Sequence, residues 1–178
     1  DSRDVALNHT AGLSLPQQVM MLLFSAYELM DTKKHYQKAC MGIVKKRVEA
    51  TLEGLGLDVP PNELHDNYYG LIDFEYWARK NLGEDVVAWM KENVHPLDIV
   101  FRLAEDHGIV LLNGSGFEAP DWSVRISFAN LDDHVYDDIG RAVRAVGRSY
   151  RQAYEASKGK EAKGKAVTTT PAPGARAK

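Results

Sequence analysis

The residue best suited to chemistry in this sequence is Arg125, within the strand-like segment 122–128. Apolar and polar residues alternate along this segment, so Arg125 shares one face with Ser123 and Ser127 while four apolar side chains face a core. A guanidinium between small hydroxyl groups has room for a planar anion, and its fork matches a carboxylate in two parallel hydrogen bonds. The alternative is a half-exposed strand whose outer Ser-Arg-Ser face is only solvated.

A glycine-rich turn at 113–116, followed by Phe117, precedes this strand and is placed to close over an anion at Arg125. The turn matches no phosphate-binding fingerprint, because no helix begins directly after it. The six histidines have no metal-ligand spacing, so no metal site is expected. Cys40 lies in the apolar stripe of a predicted helix, where core packing explains it better than a nucleophilic role.

The elements that must position Arg125 follow from hydrophobic periodicity and from helix and turn signals. Ser14, Pro16 and Gln17 form a helix start. The helix after them is apolar almost all round, which is typical of burial inside a large domain or at a subunit interface. The patterns predict helices at 15–30, 33–52, 75–81, 84–93, 95–107 and 132–156, and strands at 68–74, 109–112 and 122–128, the second of them buried. The predicted fold class is α+β, a small sheet with helices on one face.

Composition bounds the function classes. The chain has 178 residues, 44% of them apolar and 26% charged, with a net charge of -3. The tail 158–178 carries +5, so the body carries -8, which argues against nucleic acid as a partner. The longest apolar run, at 19–24, is too short to cross a membrane. A single cysteine fits a reducing, cytoplasmic location, and a first residue other than Met is expected for a chain cut from a longer one.

Three segments, at 95–98, 110–117 and 122–131, resemble the C-terminal domain of fold-type I pyridoxal-phosphate enzymes. The segment 7–18 is more specific, because it resembles one family, the bacterial L-aspartate 4-decarboxylases. These are bifunctional aspartate aminotransferases and aspartate beta-decarboxylases. The similarity runs from Asp1 to about Tyr154 and leaves out the tail. The glycine-phenylalanine to arginine pattern is shared by many aminotransferases, so the opening segment is what favours the decarboxylases.

The resemblance implies pyridoxal 5'-phosphate as cofactor, L-aspartate and 2-oxo acids as ligands, and a homo-oligomer built on a dimer. The reaction implied converts L-aspartate to L-alanine and carbon dioxide, with transamination as a side activity. Arg125 matches the arginine that binds the substrate α-carboxylate, and Arg3 matches a second substrate-contacting arginine. Asn8, His9 and Thr10 are expected near the cofactor or the subunit interface. No lysine here matches the serine-lysine motif that forms the Schiff base, so this chain alone is expected to be inactive.

The same resemblance divides the chain into the end of a large domain at 1–31, a connecting helix and loop at 32–60, a small C-terminal domain at 61–157 and a disordered basic tail at 158–178. Three alternatives stay open. One is another enzyme of the same fold, such as an aromatic or alanine aminotransferase. The second is the aminotransferase-like sensor domain of a transcription regulator, and the third is a free-standing interaction module. A serine-lysine motif upstream of Asp1 would indicate an enzyme.

Overall fold

The computed structural model describes residues 13–58 and 65–167, with side chains up to residue 159. These residues form a mixed α+β fold with six α-helices and a three-stranded sheet, as predicted. The helices are α1 (Leu15–Met30), α2 (His35–Leu55), α3 (Phe74–Leu82), α4 (Glu84–Asn93), α5 (Asp98–His107) and α6 (Val135–Val167), and the strands are β1 (Tyr69–Asp73), β2 (Leu112–Asn113) and β3 (Ser123–Ser127). The chain divides into two compact units, Asp1–Gly42 and Ile43–Lys178. The domain boundaries expected from the resemblance stay a prediction.

In the first unit, α1 begins where its capping signal predicts. The Ser14 backbone N–H donates to Gln17 Oε1 at 3.0 Å, which satisfies a donor at the helix start. None of the residues of α1 is buried in the described part of the chain. The described residues therefore do not provide the burial predicted for this helix. Cys40 is also exposed, and its predicted place in the core is wrong. The stripe to which it belongs meets the described core only from Val44 onward.

In the second unit, the sheet has the strand order β1-β3-β2, and both pairs are antiparallel. β3 is therefore the central strand, and its inward face is the apolar one that the alternation predicts. The helices cover that face and bury a single core with it. The most deeply buried apolar side chains of this core include Phe74, Ala78, Leu103, Val124, Tyr136, Ile139 and Val143.

A hydrogen bond inside this core ties α5 to α6. The hydroxyl of Tyr150 donates to Asp98 Oδ2 at 2.7 Å, and the Tyr150 side chain is 3% exposed. Burial, together with this carboxylate acceptor, raises the pKa of Tyr150 above its usual value. The raised pKa extends to higher pH the neutral state of Tyr150, which the core and the hydrogen bond both favour.

The predicted buried strand at 109–112 is wrong in both extent and burial. β2 holds two residues, and Val110 and Leu112 are 80% and 52% exposed, while Leu111 is buried. The reason is its place at the edge of the sheet, where it pairs with β3 through two residues only. A composition rich in Val, Ile and Leu does not distinguish an edge strand from a central one.

The last helix is longer than its apolar stripe predicts. It begins at Val135 and extends to Val167, beyond the predicted end near residue 156. Alanine, lysine and glutamate, which favour helix, are common in its last two turns. The basic tail was predicted to be disordered from residue 158. Residues 158–167 are helical instead, and the predicted disorder of residues 168–178, which lie outside the described part of the chain, stays a prediction.

Candidate functional site

The sheet places Arg125 in the middle of its uncovered face. In the register, Arg125 lies opposite Leu71 of β1 on one side and opposite Leu112 of β2 on the other. Residues directly opposite each other in antiparallel strands share a face, so both neighbours of Arg125 in the sheet are leucines. A leucine side chain offers no hydrogen-bond acceptor. The two residues directly opposite Arg125 in the sheet therefore offer its guanidinium no acceptor.

Two aromatic rings contact the Arg125 guanidinium. Its Cζ lies over the Tyr69 ring at 3.9 Å from the centroid and over the Phe117 ring at 4.3 Å. Both distances lie well inside the range of about 6 Å within which a cation is attracted to an aromatic face. A ring accepts no conventional hydrogen bond from the N–H edge of the guanidinium, so the donors remain available. Arg125, Tyr69 and Phe117 are called the arginine–aromatic cluster below.

The turn that carries Phe117 is a short 3-10 helix, Gly114–Phe117, fixed at both ends. The Asn113 side chain accepts from the backbone N–H of Ser115 at its start. At its end Glu118 has a φ of 59°, in the left-handed region. Only glycine fits at 114, because a Cβ there would stand 2.0 Å from Ser123 Oγ. The glycine-rich turn thus reaches the Arg125 face, as its place in the sequence suggested.

Ser123 does not flank Arg125 as an open hydroxyl, contrary to the alternation. It is fully buried, and its hydroxyl donates to the Pro120 carbonyl beneath the turn at Gly114. Ser127, on the other side of Arg125, is half-buried. The room around the guanidinium therefore comes from the two leucines and the open sheet face, rather than from a pair of small hydroxyl groups.

The positive charge of Arg125 is not neutralised by the part of the chain that the structure describes. Ten ion pairs join described side chains, and none of them involves Arg125. Asp73 of β1 lies on the same face of the sheet as Arg125, but its carboxylate accepts from the backbone N–H of Tyr76 and caps α3. An unpaired cation among apolar side chains is an arrangement that favours an anionic ligand.

The cluster fits a carboxylate but does not make a pyridoxal-phosphate site by itself. The cluster contains no amine that could react with the aldehyde of the cofactor. Its one charged group for binding the phosphate of the cofactor is the Arg125 guanidinium. Four described lysines, Lys34, Lys45, Lys91 and Lys158, pair with surface carboxylates instead. Among the described residues, no group of three or more His, Cys, Asp and Glu side chains is placed to hold a metal ion.

The other expected site residues, Arg3, Asn8, His9 and Thr10, lie outside the described residues. Of the side chains that the structure brings to Arg125, Phe117 was expected and Tyr69 was not. The sequence did contain a signal for Tyr69, an aromatic residue in a predicted strand. The pairing register that places it beside Arg125 cannot be obtained from either strand alone.

No protein-family model matches the chain. The chain is 42% identical over 156 residues to a protein of a Pseudomonas species named bifunctional aspartate aminotransferase and L-aspartate beta-decarboxylase. The match covers 88% of this chain and 29% of that protein, so the chain spans less than a third of the relative's length. None of the described helices is long and apolar enough to cross a membrane. The resemblance found in separate motifs thus extends over most of this chain, which is similar to a bifunctional aspartate aminotransferase and L-aspartate beta-decarboxylase.

Proposed function

We propose that this chain is the substrate-carboxylate-binding part of a pyridoxal-phosphate enzyme that converts L-aspartate to L-alanine and carbon dioxide, with transamination as a side activity. The observation that carries the proposal is the Arg125 guanidinium, which forms no ion pair with any described residue and lies on an open, largely apolar sheet face. The name of the Pseudomonas relative supplies the reaction and the substrate. The cofactor, 2-oxo acids as second substrates and a homo-oligomer built on a dimer belong to the same proposal.

In this proposal Arg125 binds the α-carboxylate of aspartate through its N–H edge. The apolar neighbours Leu71 and Leu112 limit the water around that pair, which strengthens a charge-assisted hydrogen bond. A decarboxylase of this kind must hold one carboxylate and leave the other free to depart. A single arginine that recognises the α-carboxylate meets the first of these requirements.

The cofactor would be held by residues other than those of the cluster. Arg3 is proposed as a second substrate contact, with Asn8, His9 and Thr10 near the cofactor or the subunit interface.

Substitution of Arg125 in the complete polypeptide that carries this segment tests the proposal. Arg125→Lys keeps the charge but loses the fork, so it should fail to rescue the function lost in Arg125→Ala. Both variants should lower kcat/KM for L-aspartate roughly a hundredfold, which corresponds to about 3 kcal/mol. Cofactor absorbance should be unchanged, because the cofactor is held by other residues.

The matched control is Arg151→Lys, which alters an exposed arginine that pairs with Glu155 on α6. It should leave kcat/KM unchanged. If Arg125→Lys behaves like this control, the carboxylate clamp is wrong and the solvated outer face is the correct interpretation. Product analysis completes the test, since L-alanine and carbon dioxide from L-aspartate separate a decarboxylase from an aromatic or alanine aminotransferase.

A further inference from the structure

We infer that Tyr69 and Phe117 are positioning residues, whose rings hold the Arg125 guanidinium with its N–H edge ready for the carboxylate. The inference rests on the proposed function, because it concerns the same site. The observation behind it is that Arg125 Cζ lies over both rings, at 3.9 Å from the centroid of Tyr69 and 4.3 Å from that of Phe117.

An arginine side chain has many rotamers, and binding must fix one of them. A carboxylate partner within the chain could hold Arg125 in place, but it would occupy the same N–H donors that the substrate needs. An aromatic face attracts the cation through its quadrupole and leaves those donors free. The two rings therefore achieve what an internal ion pair cannot, since they order the guanidinium without neutralising it.

The rings come from two separately anchored elements. Tyr69 lies in β1 and pairs with Ser127 of β3, two residues from Arg125. Phe117 is the last residue of the 3-10 turn, and the first residue of that turn, Gly114, packs closely against Ser123. Neither ring belongs to the core, because Tyr69 is 45% exposed and Phe117 is 51% exposed. Their contact with Arg125 is thus not a by-product of core packing, and the backbone around each ring is fixed independently of the guanidinium.

A first experiment examines the geometry on the 178-residue chain itself. Protons over an aromatic face resonate upfield, so the Nε–Hε signal of Arg125 should be shifted upfield in a 15N-correlated NMR spectrum. Its disappearance in Arg125→Lys assigns it. Phe117→Leu and Tyr69→Leu should each move the signal downfield, whereas Tyr69→Phe, which keeps the ring, should leave it in place. A signal that stays in place in both leucine variants overturns the inference.

A second experiment measures kinetics in the complete polypeptide. Phe117→Leu and Tyr69→Leu should each raise KM for L-aspartate about tenfold, equivalent to about 1.4 kcal/mol, with a smaller change in kcat. Tyr69→Phe should restore the wild-type KM. The matched controls are Phe101→Leu and Tyr76→Leu, which remove rings that are 59% and 61% exposed at other places in the same unit. In an Arg125→Lys background, Phe117→Leu should add little, because the ring acts through the arginine.

The outcomes separate the two proposals. If Arg125→Lys loses activity while both leucine variants match their controls, the proposed function stands and the positioning role is overturned. If the effects of Phe117→Leu and Arg125→Lys on KM are additive, Phe117 does not act through Arg125, and the positioning role is again overturned. If Arg125→Lys is as active as the wild type, the proposed function fails and the positioning role fails with it.

Discussion

Arg47 and Arg125 show how differently two arginines are used in this chain. Arg47 is 15% exposed, and its Nε donates to Asp133 Oδ1 at 2.6 Å while its Nη1 donates to the Phe128 carbonyl at 2.9 Å. The Asp133 carboxylate raises the pKa of Arg47. Arg125 has rings against its guanidinium and no ion pair among the described residues. The donors of Arg47 hold the loop after β3, whereas those of Arg125 remain for a ligand.

Glu75 gives a pH-dependent prediction at the residue scale. Its Oε1 lies 2.7 Å from Lys91 Nζ and 2.6 Å from an Arg79 nitrogen, and these two cations, Lys91 more than Arg79, lower the pKa of Glu75. Because the folded-state pKa is depressed, the stabilisation is present above the unfolded-state pKa of about 4.3 and is lost as pH falls through the folded-state pKa. Glu75→Gln should therefore lower the free energy of unfolding at pH 7 by about 0.5 to 1 kcal/mol, a small value because both cations are half-exposed.

Urea unfolding at a series of pH values measures this difference. The difference between wild type and Glu75→Gln should shrink below about pH 4 and vanish once Glu75 is protonated in both states. Glu155→Gln is the matched control, since it removes the same charge from an exposed ion pair with Arg151. A deficit of Glu75→Gln that is constant from pH 7 to pH 3 would show that the loss comes from packing rather than from charge.

A site residue could be predicted where its position depends on neighbours in the sequence, and could not where it depends on contacts with distant residues. The outward direction of Arg125 follows from alternation within its own strand. The burial of Ser123 does not, because it depends on the turn at Gly114, which packs over it from nine residues away. Tyr69 reaches Arg125 only through the pairing of β1 with β3, which joins residues about 56 positions apart in the sequence.

At the scale of elements, the packing of α2 against α6 is set by glycines. A Cβ at Gly140 would lie 2.2 Å from the Thr51 carbonyl oxygen and 2.8 Å from the Leu55 backbone nitrogen. The two helices thus approach each other backbone to backbone. One turn before Gly140, the hydroxyl of Tyr136 donates to the Ser127 carbonyl at the end of β3. The glycine contact therefore helps to fix the strand that carries Arg125.

Gly140→Ala should destabilise the protein, because the added methyl group would meet backbone atoms that cannot move aside as a side chain can. We expect a loss of about 2 kcal/mol or more in the free energy of unfolding. Gly159→Ala in the same helix is the matched control, since nothing lies within 4 Å of a Cβ there. It should stabilise by up to about 1 kcal/mol through helix propensity. Denaturant midpoints of the two variants test this, and equal midpoints would contradict the close approach of the two helices.

The elements themselves were predicted with uneven success, for a physical reason. The helix predicted at 84–93 has those bounds in the structure, and α1 begins at the predicted cap. Both depend on signals within a few residues, a glycine before the helix or a capping box. The extent of β2 was predicted wrongly because an edge strand is defined by its partner, and the end of α6 because helix propensity continues past the apolar stripe.

At the scale of the whole molecule, the two units differ in how much of their apolar surface is exposed. The second unit encloses a core of aromatic and aliphatic side chains. In the first unit, α1 exposes residues such as Leu22, Leu23 and Leu29, at 69%, 65% and 83%. Exposed apolar surface of this extent is typical of a face that meets further protein. This agrees with the proposal that the chain works within a larger polypeptide and a homo-oligomer.

The same proposal predicts that this chain alone forms no specific Schiff base with pyridoxal phosphate. The serine-lysine pair in this sequence, Ser157-Lys158, lies in the C-terminal helix α6, and Lys158 is one of four described lysines that pair with surface carboxylates. Borohydride reduction of the purified chain mixed with pyridoxal phosphate, followed by peptide mass spectrometry, should show only scattered, low labelling of exposed lysines. The complete Pseudomonas relative is the positive control and should be labelled at one lysine. One stoichiometric adduct at a single lysine of this chain would show that it holds a cofactor site of its own, and the division of roles proposed for Arg125 and the rest of the enzyme would then be wrong.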